Sequence, residues 1–177
     1  LNSQDVILGL LLDGPKTGYE IKHLFESPLS FFFDASFGTI YPTLGKLEKA
    51  GYIVKESVVQ DNRPNKNVYS ITEAGRERFR QYLDSPPEKE AYKSDFMVRL
   101  FFGEHQERDT VAAWIRQAIE QTKTELHQLQ EGKAVWKPEM SPSQLICLNL
   151  GLELNEVKIR VLEEGLAQLL SADQASD

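Results

Sequence analysis

Ile40, Leu44 and Leu47 recur at helical spacing and Gly51 follows as a stop, which predicts a helix over residues 36–50 with Ser36 as its cap. The opposite side of that helix is polar, with Thr39, Tyr41, Lys46 and Lys49. Residues 52–59 have strand composition, D-N-R-P-N-K-N at 61–67 makes a turn, and V-Y-S-I-T at 68–72 returns as a second strand. The product is a two-stranded ribbon tipped with Arg63 and Lys66. Upstream, a helix over residues 3–12 is apolar on nearly every side and stops at Asp13-Gly14-Pro15. The next helix opens with a capping box of Thr17 and Glu20, buries Ile21, Leu24 and Phe25, and ends at Ser27-Pro28. Thr72 caps a fourth helix over residues 73–83, closed by Ser85-Pro86-Pro87.

Beyond the polar, proline-led stretch 86–93 the pattern is wholly helical, so that stretch is read as a linker between domains 1–85 and 94–177. A short apolar segment over 96–102 ends at Gly103. A long helix over 108–130 shows Val111, Ile115, Ala118, Thr122, Leu126 and Leu129 on one face, with Gly132 past its end. The last helix starts at Ser141-Pro142, where Gln144 completes a capping box, and runs to about residue 170. It carries two apolar stripes. One is a heptad with Leu148, Leu152, Ile159 and Leu162 and a single polar member, Asn155; the other is Leu150, Leu154, Val157 and Val161. A helix apolar on two sides must be covered on two sides. The heptad, with Asn155 setting register, is therefore assigned to a helical dimer, although either stripe could pack within or between subunits; a monomeric three-helix bundle is the alternative. The fold class is mainly α with a small β-ribbon.

Charge at first sight argues against a polyanionic partner, since the net charge is −7. The excess is uneven. Residues 1–85 hold ten Lys and Arg against eleven Asp and Glu, and residues 86–177 hold ten against sixteen. Within 39–66 the acids are Glu48, Glu56 and Asp61, against Lys46, Lys49, Lys55, Arg63 and Lys66. A local basic surface on an acidic chain is enough to bind DNA in a salt-dependent way. The longest apolar run is too short to span a membrane, and there is no basic leader with a cleavage site, so the expected location is cytoplasmic. The single Cys147 excludes an internal disulfide and fits a reducing compartment.

A helix with a polar face beside a basic-tipped ribbon suits a helix in the major groove and a wing on the phosphates. Thr39, Tyr41, Thr43 and Lys46 are the residues assigned to the groove, Arg63 and Lys66 to the backbone, and Tyr19 and Lys22 to a flanking phosphate. A solvated helix face and a solvated hairpin tip are the plainer alternatives, and Tyr19 could equally serve the core or the dimer. Phe33, Phe96 and Trp136 supply aromatic surface, and Arg99 or His105 a partner for a carboxylate, in a candidate effector site; packing at an interdomain seam is the competing account. Enzymatic chemistry has no foothold. His23, His105 and His127 are far apart, and no nucleophile elbow, metal-binding helix or C-x-x-C motif occurs, so neither cofactor nor metal is expected.

Leu8-Gly9-Leu10-Leu11, Thr17-Gly18-Tyr19-Glu20-Ile21, Gly38-Thr39-Ile40-Tyr41-Pro42-Thr43-Leu44, Arg63-Pro64 with Tyr69, and Ile71-Thr72-Glu73-Ala74-Gly75 together resemble the PadR-like family of bacterial transcriptional regulators. Lys93-Ser94-Asp95-Phe96 and the helices after it resemble the longer subfamily, which includes phenolic-acid-responsive repressors and a virulence-gene activator. The resemblance implies an N-terminal winged helix-turn-helix, a C-terminal antiparallel helical dimerisation domain, and a homodimer acting on a two-fold operator. It also implies a small aromatic acid as effector. Two positions depart from the family: Gly45 stands where a longer polar residue is expected on the DNA side, and Asn65 and Asn67 flank Lys66 in a less basic wing. The rival from another class is a winged-helix protein-interaction module that binds no DNA.

Overall fold

The computed structural model describes residues 2–25, 37–60, 63–89 and 92–171. The chain divides into two compact units, Leu1–Glu90 and Ala91–Asp177. The first contains α1 (Ser3–Leu10), β1 (Lys16–Thr17), α2 (Gly18–Phe25), α3 (Ile40–Lys49), β2 (Ile53–Gln60), β3 (Arg63–Ile71) and α4 (Glu73–Asp84). Local chemistry starts and stops these elements. Asn2 caps α1, its Oδ1 accepting from the N–H of Gln4 and Asp5 at 2.9 and 3.1 Å. At α2 the Thr17 N–H donates to Glu20 at 2.7 Å and the Glu20 N–H donates back to the Thr17 hydroxyl at 3.1 Å, a reciprocal capping box. Thr72 caps α4 by accepting from Gly75 N–H at 3.1 Å. Gly51, at φ 75°, takes the left-handed turn that ends α3 and releases the chain into β2. The expected cap Ser36 and the expected helix end at Ser27-Pro28 lie outside the described residues.

The sheet is antiparallel and three-stranded, in the order β1-β3-β2. This corrects the two-stranded ribbon: Lys16 and Thr17 pair with Tyr69 and Val68 on the free edge of β3. Two residues before a helix carry no alternation from which a strand could be read. β2 and β3 run further toward the tip than their composition suggests, with Ile53 opposite Ile71 and Gln60 opposite Arg63. The core gathers Ile7, Leu8, Leu11, Ile21, Ile40, Leu44, Leu47 and Ile53, each at 2% exposure or less. Two glycines allow close approaches around it. A Cβ at Gly9 would stand 2.9 Å from the Phe79 ring, and one at Gly75 only 2.1 Å from the Tyr52 carbonyl oxygen. Asp5 is buried, and Arg78 of α4 reaches it with Nη2–Oδ1 at 3.3 Å.

The second unit holds α5 (Asp95–Phe101), α6 (Arg108–Trp136) and α7 (Pro142–Ser171). Ser94 caps α5, and Ser141 with Gln144 forms the capping box of α7 (2.8 and 3.3 Å). Lys123 meets Glu163 at 2.8 Å and Lys133 meets Asn149 at 3.5 Å, a falling order of partners that makes α6 and α7 antiparallel. α6 does not stop at Gln130 as expected. It continues through Gly132, where a Cβ would stand 2.1 Å from the Trp136 ring, so the missing side chain makes room for that indole one turn on. One glycine costs a helix about 1 kcal/mol, too little to end it.

The packing of α7 reverses the dimer assignment. Leu148, Leu152 and Leu162 are buried within the chain, Ile159 packs with Leu162 against Val111, Ile115 and Ile119 of α6, and Asn155 turns its amide onto the Gly151 carbonyl at 2.9 Å. The heptad is thus the seam of an intramolecular helix pair. The other stripe is the open one: Leu150, Leu154, Val157 and Val161 are all exposed.

Candidate nucleic-acid interface

α3 has two faces, and the division follows position. Residues 40, 43, 44 and 47 have the i, i+3, i+4, i+7 spacing of one buried side, and Ile40, Thr43, Leu44 and Leu47 are all buried. Thr43 is therefore a correction. At 8% exposure it sits on the core side and has no surface to offer a groove. The spacing could have shown this; its hydroxyl invited the polar assignment. Thr39, Tyr41, Pro42, Lys46 and Lys49 occupy the exposed side. Gly45 stands among them, and a Cβ there would meet nothing within 4 Å. Its small size answers no packing need.

The flanking elements add to this face unequally. Tyr19, in the first turn of α2, is 73% exposed, and Lys22 one turn on is half-buried. In the wing Lys66 lies opposite Val58 and is exposed, while Arg63 pairs with Gln60 at the end of β3. Lys55 is held by Glu48, Nζ–Oε2 3.7 Å, and its charge is partly answered within the protein. The hydrogen bond from Thr17 N–H, then that from its hydroxyl, hold the Glu20 carboxyl below the usual carboxylate range, and the ammonium groups of Lys66 and Lys16 lower it further. The wing lysine and the start of α2 thus share an electrostatic neighbourhood. Burial pushes the Tyr69 phenol above its usual range, and the nearby Glu48 carboxylate and Tyr41 phenol push the same way.

One contact was invisible in the sequence. A Cβ on Gly18 would stand 2.7 Å from Tyr41 Cε1, so the Tyr41 ring lies against the first residue of α2. The pairing is between helices, and no local pattern signals it.

The residues assigned to an effector do not form one cluster. Phe96 packs against the Val111–Ile115–Ile119 cluster at the start of α6. Arg99 is bound to Asp95 at 2.6 Å, with its guanidinium 5.9 Å from the Trp114 centroid. His105, strongly exposed, lies 3.4 Å from the carboxylate of its neighbour Glu104. Trp136 sits at the opposite end of α6, about 33 Å along the axis from Trp114 at ~1.5 Å per residue, which removes it from any single site with Phe96 and Arg99 in one chain. Phe33 lies outside the described residues. A cavity of about 660 Å³ opens in this unit between Leu100, Arg108, Val111, Leu162 and Leu169. Among the described residues no group of three or more His, Cys, Asp or Glu side chains could hold a metal ion, and no helix is long and apolar enough to cross a membrane.

A short helix with a polar outer face, packed beside a β-wing, is the architecture of a winged helix-turn-helix regulator, and comparison with known proteins agrees. Residues 7–81 match the model of the transcriptional regulator PadR-like family, and residues 92–169 match the virulence activator alpha C-terminal family. The negative transcriptional regulator PadR of Bacillus subtilis is 30% identical over 70% of this chain and 69% of its own length. The chain belongs to the PadR-like family of transcriptional regulators, a family without enzymatic activity. Among solved structures, smu.1604c of Streptococcus mutans is 44% identical with a TM-score of 0.89, covering 94% of this chain and 99% of that one. The PadR-like regulator BC1756 of Bacillus cereus is 36% identical with a TM-score of 0.88, covering 97% and 99%. Bacillus subtilis PadR has been solved with operator DNA, at 28% identity, TM-score 0.80 and coverage of 94% and 98%. It has also been solved with p-coumaric acid, at 27% identity, TM-score 0.73 and coverage of 94% and 97%.

Proposed function

We propose that this chain is a ligand-responsive repressor that binds a two-fold operator as a homodimer. Residues 1–85 serve as the DNA-binding domain, 86–93 as a linker and 94–177 as the dimerisation and effector domain. The observation that carries the reading is the division of α3. Its buried stripe fixes the helix to the core and leaves Thr39, Tyr41 and Lys46 exposed, and Lys66 is exposed on the wing. The operator complex of Bacillus subtilis PadR supports the same use of this fold. Two recognition helices about 34–36 Å apart would enter successive major grooves. The open α7 stripe of Leu150, Leu154, Val157 and Val161 is the apolar surface that a second copy would cover. A small aromatic acid is the effector class supported by the p-coumaric acid complex of that relative. Such a ligand moves the equilibrium only by its differential affinity for the two arrangements. The proposed location is the cytoplasm.

A protein-interaction module without DNA binding draws support only from the acidic second half, and membership of a regulator family weighs against it. The test is a fluorescence-anisotropy titration with DNA from upstream of the chain's own gene, beside scrambled DNA, at two salt concentrations. Specific, salt-weakened binding at one dimer per duplex is expected. Lys46→Ala and Arg63→Ala should each weaken it by about tenfold while remaining dimeric, and normal affinity in both would overturn the DNA face.

A further inference from the structure

Gly18 is the first residue of α2, and nothing in its backbone asks for glycine. The glycines with positive φ are Gly14 and Gly51, and Gly18 is not among them. In a helix glycine is less stable than alanine, because it gives up more conformational freedom on folding. What a side chain would meet there is specific. The three atoms nearest to a Cβ on Gly18 all belong to Tyr41: Cε1 at 2.7 Å, Oη at 3.1 Å and Cζ at 3.2 Å. Tyr41 itself is 60% exposed, so its ring is pinned along one edge and open on the other. Its phenol also lies close enough to raise the pKa of Tyr69, a buried residue of β3.

We infer that Gly18 is a positioning residue for DNA recognition: by lacking a side chain it lets the phenol end of the Tyr41 ring lie across the start of α2, which fixes where the exposed remainder of the ring stands. The inference rests on the proposed DNA-binding reading and adds to it a residue that touches no DNA. The colliding atoms are the far end of a tyrosine, not backbone. A methyl group at position 18 therefore swings the ring aside and leaves the core as it is. Fold and recognition separate at this residue.

The experiment uses a duplex enriched by the wild-type chain from a random-sequence pool. Anisotropy titrations compare wild type, Gly18→Ala, Tyr41→Ala, the double variant and Lys46→Ala, with thermal unfolding of each. Gly18→Ala should bind about fivefold more weakly, the order of coupling between residues in contact, with a melting temperature no lower than wild type. In the Tyr41→Ala background the same substitution should change affinity by less than about twofold, since the ring it displaces is gone. Wild-type affinity in Gly18→Ala overturns the proposal. So does an equal loss in both backgrounds, or a lowered melting temperature that accounts for the loss. If Lys46→Ala weakens binding while Gly18→Ala does not, the DNA reading stands and the positioning role falls. If no duplex is enriched, the DNA reading falls and takes this role with it.

Discussion

α3 and α7 are both amphipathic in a loose sense, yet they pose opposite problems. α3 has one apolar stripe and one polar face, so the first goes to the core and the second is free to act. α7 has two apolar stripes, and both satisfy the same periodicity. Choosing between them needs the partner helix, not the pattern. The α6–α7 pair resolves it: the stripe of Leu148, Leu152, Ile159 and Leu162 faces α6, and the stripe of Leu150, Leu154, Val157 and Val161, which has heptad spacing too, is left open. A regular heptad is thus evidence of a helical neighbour, whichever chain that neighbour belongs to.

The sharpest way to break this contrast is to cut into each stripe of α7. Leu148→Ala removes a fully buried side chain and should destabilise the chain by about 3 kcal/mol in urea unfolding. Leu154→Ala on the open stripe should change the unfolding of the monomeric chain by less than about 0.5 kcal/mol, while shifting the monomer–dimer equilibrium seen by sedimentation. A large loss from Leu154→Ala in a monomer, or none from Leu148→Ala, would exchange the two stripes. On α3, Lys46→Ala should weaken operator binding about tenfold and relax its preference over scrambled DNA, with unfolding unchanged. Thr43→Ala makes the complementary test. It should leave operator affinity close to wild type at conditions where the variant is folded, and a tenfold loss would return Thr43 to the recognition face.

A smaller effect is expected at the capping box. Thr17→Ala should cost about 1 kcal/mol through the loss of reciprocal hydrogen bonds at the start of α2. The Glu20 carboxyl is lowered in the folded chain, so its contribution is complete above the unfolded carboxylate pKa and fades as pH falls through the lower folded value. Unfolding followed from neutral to acid pH should show a smaller acid-dependent loss in Thr17→Ala than in wild type.

Much of this molecule was legible because its signals are local. The capping boxes at Thr17 and Ser141, the Thr72 cap and the stop at Gly51 are each settled within four residues. What escaped was decided by residues far apart in the chain. β1 exists because β3, some fifty residues on, offers an edge to Lys16 and Thr17. Thr43 misleads for a different reason: its hydroxyl suggests a polar face, while its helical position puts it on the buried one. The buried Asp5 with its partner Arg78 has no local signal either, since an acid in a first helical turn ordinarily points to the helix dipole and solvent.

Gly45 leaves a gap in the exposed row of α3, and a Cβ placed there would meet nothing within 4 Å. For an engineer this is a socket. A lysine, glutamine or arginine at that position would improve the helix and lengthen its reach together, with no adjustment in the core. If the proposed DNA face is right, a side chain added at Gly45 should alter the sequence preference of the regulator without rebuilding the domain that carries it.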